Sequence, residues 1–185
     1  MKKNLNITPI ITVLGLIWLM FALNFLTAGK LNHFLALEPR QLSGLFGILT
    51  HPFAHADVMH LISNSFPFFI LSLFVGYSCG MKHLWGVWLV GAIGSGVGIW
   101  LFSSAAVVGA SGVVFFLNGF LLARCYTHPS LNTIVIAVVV LFFYAGALWS
   151  LFDFNAPGIS WVGHLSGFVT GIGYAFLTRF ENVRR

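Results

Sequence analysis

The chain has 185 residues, 58% of them hydrophobic and 7% charged, whereas a soluble domain carries roughly 25% charge. With a mean hydropathy of +0.94 this excludes a soluble globular domain and makes the chain an integral membrane protein of single-domain length. The net charge of +5 comes from basic residues scattered between apolar stretches, with no patch of interleaved aromatics, so it excludes nucleic acid as a partner and reads instead as a topology signal.

Met1 to Thr8 is a short polar leader with Lys2 and Lys3. The first predicted span covers about residues 9–28, long enough to cross a bilayer and longer than the 7–15 residues of a signal-peptide core, so it is read as a retained helix. Gly29 to Ala56 is too broken for a span and too apolar for a free loop. It is expected to be a partly immersed, interfacial hairpin. The second span is placed at about 57–77 and the third at about 84–102, where Gly91, Gly94, Gly96 and Gly98 permit close helix contact. Ser103 to Ala110 reads as a short uncharged loop.

The fourth span opens at Ser111 and reaches Arg124 after only 14 residues. That is too short to cross the hydrocarbon core, so Ser111 is expected below the membrane surface, lining a wet or protein-covered cavity. The fifth span covers about 131–152 and the sixth about 161–180. The loop Asp153–Ser160, with Pro157-Gly158, is the candidate lid. Six spans put both ends on one side. Seven of the nine Lys and Arg (Lys2, Lys3, Lys82, Arg124, Arg179, Arg184, Arg185) fall on that side, which assigns both termini to the cytoplasm. Two cysteines, Cys79 and Cys125, provide no disulfide framework.

Polar groups inside spans are costly and usually functional. His60 and Asn64 share a helix face at i, i+4, near the outer end of the second span. His164 lies one turn into the sixth span, again from the outer side, so these three and Ser111 fall at a similar depth. Gly109 and Gly112 flank Ser111 and permit close approach of another backbone. A serine in the first turn of a helix sits beside unpaired amides at the positive end of the dipole, where an oxyanion is stabilised. His164, Gly167 and Gly171 share one face, and the small-xxx-small pair allows a helix packed closely enough to bring His164 to Ser111 as its base. Taken singly, Ser111 reads first as an N-cap serine and each histidine equally as helix–helix glue. Their joint occurrence at one depth points to a Ser–His dyad, with His60 and Asn64 as hydrogen-bond donors to the oxyanion.

These residues carry a resemblance to the rhomboid intramembrane serine proteases over nearly the whole chain. His51, His55, His60 and Asn64 match H-x-x-x-H-x-x-x-x-H-x-x-x-N; Gly109-Ala110-Ser111-Gly112 matches G-x-S-G; Gly163-His164-Leu165-Ser166-Gly167 with Gly171 matches A/G-H-x-x-G-x-x-x-G. The resemblance implies an all-α, six-transmembrane-helix bundle with a partly immersed first loop. It also implies a serine endopeptidase that cleaves single-span membrane proteins near the outer face of the bilayer. Ser111 and His164 would be catalytic, and His60, Asn64 and the Ser111 amide would form the oxyanion hole. His51 and His55 would support the first loop and the floor of the site.

The chain departs from the family pattern at Phe46-Gly47, where Trp-Arg is usual, and at Phe115, where a tyrosine usually stacks on the catalytic histidine. Phe115 keeps the stacking face, and activity is still expected. No metal or organic cofactor is expected, although His51 and His55 also have ligand-like spacing. The expected partners are transmembrane-helix substrates and the lipid bilayer. A six-span core with short ends implies a bacterial inner membrane. The alternatives are a catalytically inactive rhomboid-like protein that binds transmembrane helices, and a small channel. Against the channel, the polar groups gather at one depth instead of forming a track across the membrane.

Overall fold

The computed structural model describes residues 6–149, 151 and 159–179. Among these residues the chain is all helical apart from one isolated bridge, with eight helices: α1 (Thr8–Leu26), α2 (Lys30–Leu35), α3 (Gly47–Thr50), α4 (Val58–Cys79), α5 (Leu84–Phe102), α6 (Ser111–Thr127), α7 (Leu131–Trp149) and α8 (Trp161–Leu177). The all-α polytopic membrane bundle expected from composition is what the chain forms. Residues 1–5 of the leader, residues 153–158 of the candidate lid and the tail from Glu181 fall outside the described residues.

Helix α6 is the centre. From Gly112 to Leu121 every residue is buried. Buried on all sides and carrying the polar Asn118 and Arg124, it is shielded from lipid by α8, α7, α4 and α5, with α8 the most extensively packed neighbour. The outer helices bury a single stripe each. On α1 this is Ile10, Val13 and Ile17, and on α7 it is Thr133, Ile136, Ala137, Val140 and Tyr144. Both follow the i, i+3/i+4, i+7 spacing of one helix face. Their remaining apolar residues, among them Phe25, Leu26, Phe142 and Phe143, are exposed, as befits surfaces in lipid.

Among the described residues four helical segments are long and apolar enough to cross a bilayer: α1, α4, α5 with its preceding turn, and α7. Helices α6 and α8 have 17 residues each, or about 25 Å at 1.5 Å per residue. Helix α6 does not stop at Arg124 but continues to Thr127, which draws Arg124 into the packed bundle, 5% exposed. The sequence placed a solvated topology charge there.

Backbone meets backbone where α6 crosses α8. A Cβ on Gly167 would strike the Gly112 carbonyl oxygen, and one on Gly171 would strike that of Phe116. On α5, Gly94 and Gly98 receive the side chains of Thr170 and Ser166 from the other side of α8. The α5 glycines thus serve different partners, since Gly91 faces Phe116 and Gly96 faces Ile48.

The segment from residue 29 to 56 folds as a compact strap of short helices against α5. Leu37 pairs with Val107 in an antiparallel bridge, with N–H···O distances of 2.9 and 3.0 Å. Arg40 donates its amide to Trp100 and its Nη1 to the Ser103 carbonyl at 2.6 Å, while Trp100 Nε1 donates to the Gln41 carbonyl. The 103–110 segment, which reads from sequence as a simple loop, is therefore stitched to the strap. Phe34, Leu42 and Phe46 on the strap are exposed.

Candidate active site

Ser111 is the first residue of α6. The N-cap is Ala110, which has no side-chain cap bond, so Ser111 is not spent on capping. Its amide belongs to the first turn, where amides lack intrahelical acceptors and the dipole is positive. Gly109 sets the approach to the helix with φ +115°, a conformation that L side chains rarely adopt. A Cβ there would also lie 2.6 Å from His60 Nε2 and 3.4 Å from Asn64 Nδ2. Two independent reasons therefore place glycine at 109.

His60 and Asn64 come from the first turns of α4. The helix starts where it does because Asp57 caps it, Oδ1 accepting from the His60 amide at 2.8 Å. Asn64 is 5% exposed, and its Nδ2 is buried without an acceptor. His164 comes from the first turn of α8. Ser160 fixes that turn, its Oγ accepting from the Gly163 amide at 3.2 Å and its carbonyl from the His164 amide at 3.1 Å. The imidazole of His164 stacks on Phe115, centroids 4.1 Å apart and planes 17° from parallel. The stacking contact expected of Phe115 is made without a tyrosine hydroxyl.

One cavity of about 720 Å³ is lined by Ser111, His164, His60, Asn64 and Phe115. It opens between α4, α7 and the 102–108 segment, with Tyr144 and Trp161 on its walls. A hydroxyl, a ring nitrogen, a helix-start amide and an unsatisfied amide donor thus line one space. That set suits acyl transfer through a tetrahedral oxyanion.

His51 and His55 lie below this cavity rather than in it. The Gly109 amide donates to the His51 carbonyl at 2.9 Å, and the Ala110 amide approaches His55 Nε2 at 3.5 Å. His51 Nδ1 is 2.8 Å from the Gly47 carbonyl, and the His55 ring meets His60 edge-on at 5.1 Å. Burial, followed for His55 by the neighbouring His60, lowers both pKa values from 6.5 to about 4, so both rings are neutral struts at physiological pH. Among the described residues no group of three or more His, Cys, Asp or Glu is arranged to hold a metal ion. Gly112, Gly167 and Gly171 lie in the α6–α8 contact, outside the cavity.

Sequence reasoning missed Ser160, although a serine three residues before a glycine at the head of an apolar run is a recognisable cap. It also missed Ser63 and Pro67 on the α4 wall. Pro67 sits inside a transmembrane helix and has no amide to give the Ser63 carbonyl. The sequence signal for that pair was available in the S-x-x-x-P spacing.

The sequence matches the Rhomboid domain family over residues 42–180. An uncharacterized protein of Mycobacterium tuberculosis is 31% identical over 183 residues, covering 92% of this chain and 74% of that protein. One of Mycobacterium leprae is 27% identical over 182 residues, covering 91% and 69%. The rhomboid protease GlpG of Yersinia pestis is 31% identical over 132 residues, covering 69% of this chain and 46% of that protein. A helical membrane bundle of this form, matched over most of its length, makes the chain a member of the rhomboid family.

Proposed function

We propose that this protein is an intramembrane serine endopeptidase that cuts single-span membrane proteins near the outer face of a bacterial inner membrane. Both termini lie in the cytoplasm. The observation that carries the reading is the single cavity shared by Ser111, His164, His60 and the unpartnered Asn64 amide. Membership of a family that includes a rhomboid protease supports it.

In this mechanism a substrate helix enters laterally near α4 and α7 and unwinds at its top, because an extended strand exposes its carbonyls. Neutral His164 removes the Ser111 proton as Oγ attacks the scissile carbonyl carbon. The oxyanion accepts hydrogen bonds from the Ser111 amide, His60 and Asn64 Nδ2. The imidazolium then protonates the departing amine, and the C–N bond breaks. Water, deprotonated by His164, hydrolyses the acyl-serine and restores the dyad. Phe115 holds the imidazole by stacking, and no cofactor takes part.

Labelling with a serine-directed fluorophosphonate tests the assignment. Detergent-purified wild type is expected to label, and Ser111→Ala and His164→Ala are expected not to. Cleavage of a reconstituted single-span substrate should follow the same pattern. A folded wild type that retains a transmembrane helix without labelling or cutting it would move the chain to the helix-binding class.

A further inference from the structure

A second hollow of about 640 Å³ lies at the opposite end of the bundle from Ser111. The C-terminal ends of α4 and α6, the turn at His128–Ser130 and the N-terminus of α7 form it. Arg124 lines it and is 95% buried by the bundle, being 5% exposed. Its Nε has no acceptor, and among the described residues no carboxylate pairs with it; the guanidinium lies over the Phe120 ring, 5.5 Å from the centroid. Arg124 stands in the last turn of α6 and beside the C-terminal end of α4, so helix-end carbonyls, and among the described residues no carboxylate, face the guanidinium.

His128 lines the same hollow, and its Nε2 is also buried without a partner. Its Nδ1 is 3.0 Å from Thr127 Oγ1, so a hydroxyl donated to Nδ1 leaves Nε2–H as a donor. The third contribution is the start of α7. Ser130 and Thr133 cap each other there, which occupies the Thr133 amide. The Leu131 and Asn132 amides remain without intrahelical acceptors, at the positive end of the dipole. Burial first, then Arg124 and Arg179, lower the His128 pKa, with no carboxylate opposing them. Both arginines thus stand close enough to act on the His128 ring.

We propose that this hollow is a phosphate-binding site, with Arg124 as its charged donor and His128 Nε2 and the first α7 amides completing the cradle. The phosphate comes from an anionic phospholipid headgroup or from free phosphate. The hollow sits where helix ends meet the headgroup layer, on the side assigned to the cytoplasm, and basic pockets between helices at that depth suit lipid phosphates. The site is independent of the proposed peptidase chemistry.

The test uses the purified full chain in detergent. Native mass spectrometry measures retention of phosphatidic acid, phosphatidylglycerol and phosphatidylcholine, and calorimetry measures inorganic phosphate. Wild type, Arg124→Gln and Asn132→Asp are compared, the last placing a carboxylate on the exposed rim without touching the core. Loss of the charged donor in Arg124→Gln, and repulsion from the added carboxylate in Asn132→Asp, are each expected to weaken binding about tenfold or more. One retained anionic lipid, displaced by millimolar phosphate and weakened in both variants, supports the site with a lipid source. Variant-sensitive binding of inorganic phosphate without lipid retention supports it with a soluble source. Failure of every probe to bind wild type overturns the proposal, as does binding that both variants leave unchanged. Should Arg124→Gln fail to fold, Asn132→Asp alone decides.

Discussion

Gly167 carries a quantitative consequence for both stability and chemistry. A Cβ at this position lands on the Gly112 carbonyl oxygen, 3.0 Å from the carbonyl carbon and 3.3 Å from the Phe116 nitrogen. The obstructing atoms are backbone of the most enclosed helix, so no side chain can swing aside. Carbon contacts are comfortable near 3.5–4.0 Å, so Gly167→Ala forces α8 off α6 by about 1 Å or more. Overpacking of this kind costs about 1–3 kcal/mol. His164 stands one turn from Gly167 on the same helix, so the displacement also opens the Ser111–His164 geometry. A 1 Å misplacement of reacting groups costs about 10²-fold in rate. The assay is the pseudo-first-order rate of fluorophosphonate labelling in detergent, alongside the thermal midpoint. Gly173→Ala, on the same helix with nothing within 4 Å of its Cβ, is the control and is expected to label within twofold of wild type. Gly167→Ala labelling at the wild-type rate would refute the claim that backbone contact positions His164.

Asn64→Ala is expected to lower kcat/KM by about 10²–10³ while leaving the thermal midpoint nearly unchanged, because the deleted Nδ2 has no hydrogen bond to lose. A large stability loss with intact turnover would remove Asn64 from the oxyanion hole. Arg40→Ala deletes the 2.6 Å bond to the Ser103 carbonyl that ties the strap to the segment before Ser111. With Arg40 exposed, about 1 kcal/mol is expected, read as a lower thermal midpoint that Arg40→Lys partly restores. The pH dependence follows from His51 and His55, whose pKa values fall from 6.5 to about 4 on folding. The unfolded chain binds more protons between those values, so the stability is present above pH 6.5 and is lost as pH falls toward 4. The loss is on the order of 3 kcal/mol per histidine. A thermal midpoint that is flat over that window would refute the neutral-strut assignment, and His55→Gln should make the slope shallower.

Much of the site is legible from the chain because its chemistry is written in short spacings. His60 and Asn64 need only one helical turn to share a face, and Ser111 needs only a helix start to gain its amide environment. The long apolar runs are equally plain, since a bilayer demands about 20 residues and satisfied backbone within each span. The helix ends were less legible. Arg124 marks a boundary by charge, yet α6 runs on to Thr127 because neighbouring helix ends enclose the arginine. The strap was the least legible part, because its anchors join residues some 60 positions apart, as with Arg40 to Ser103 and Leu37 to Val107.

The sequence by itself determined the membrane location and the helical class, and it named the residues that share the candidate cavity, because composition, hydrophobic run length and i, i+4 spacing are local properties. Tertiary structure alone decided that α6 is the enclosed helix and that α8 meets it against the Gly112 and Phe116 carbonyls at Gly167 and Gly171. It also decided which polar atoms are left without partners, Asn64 Nδ2 at one end and Arg124 Nε at the other. Burial and unsatisfied hydrogen bonding belong to the whole packed set of helices, and no single segment of the chain carries them.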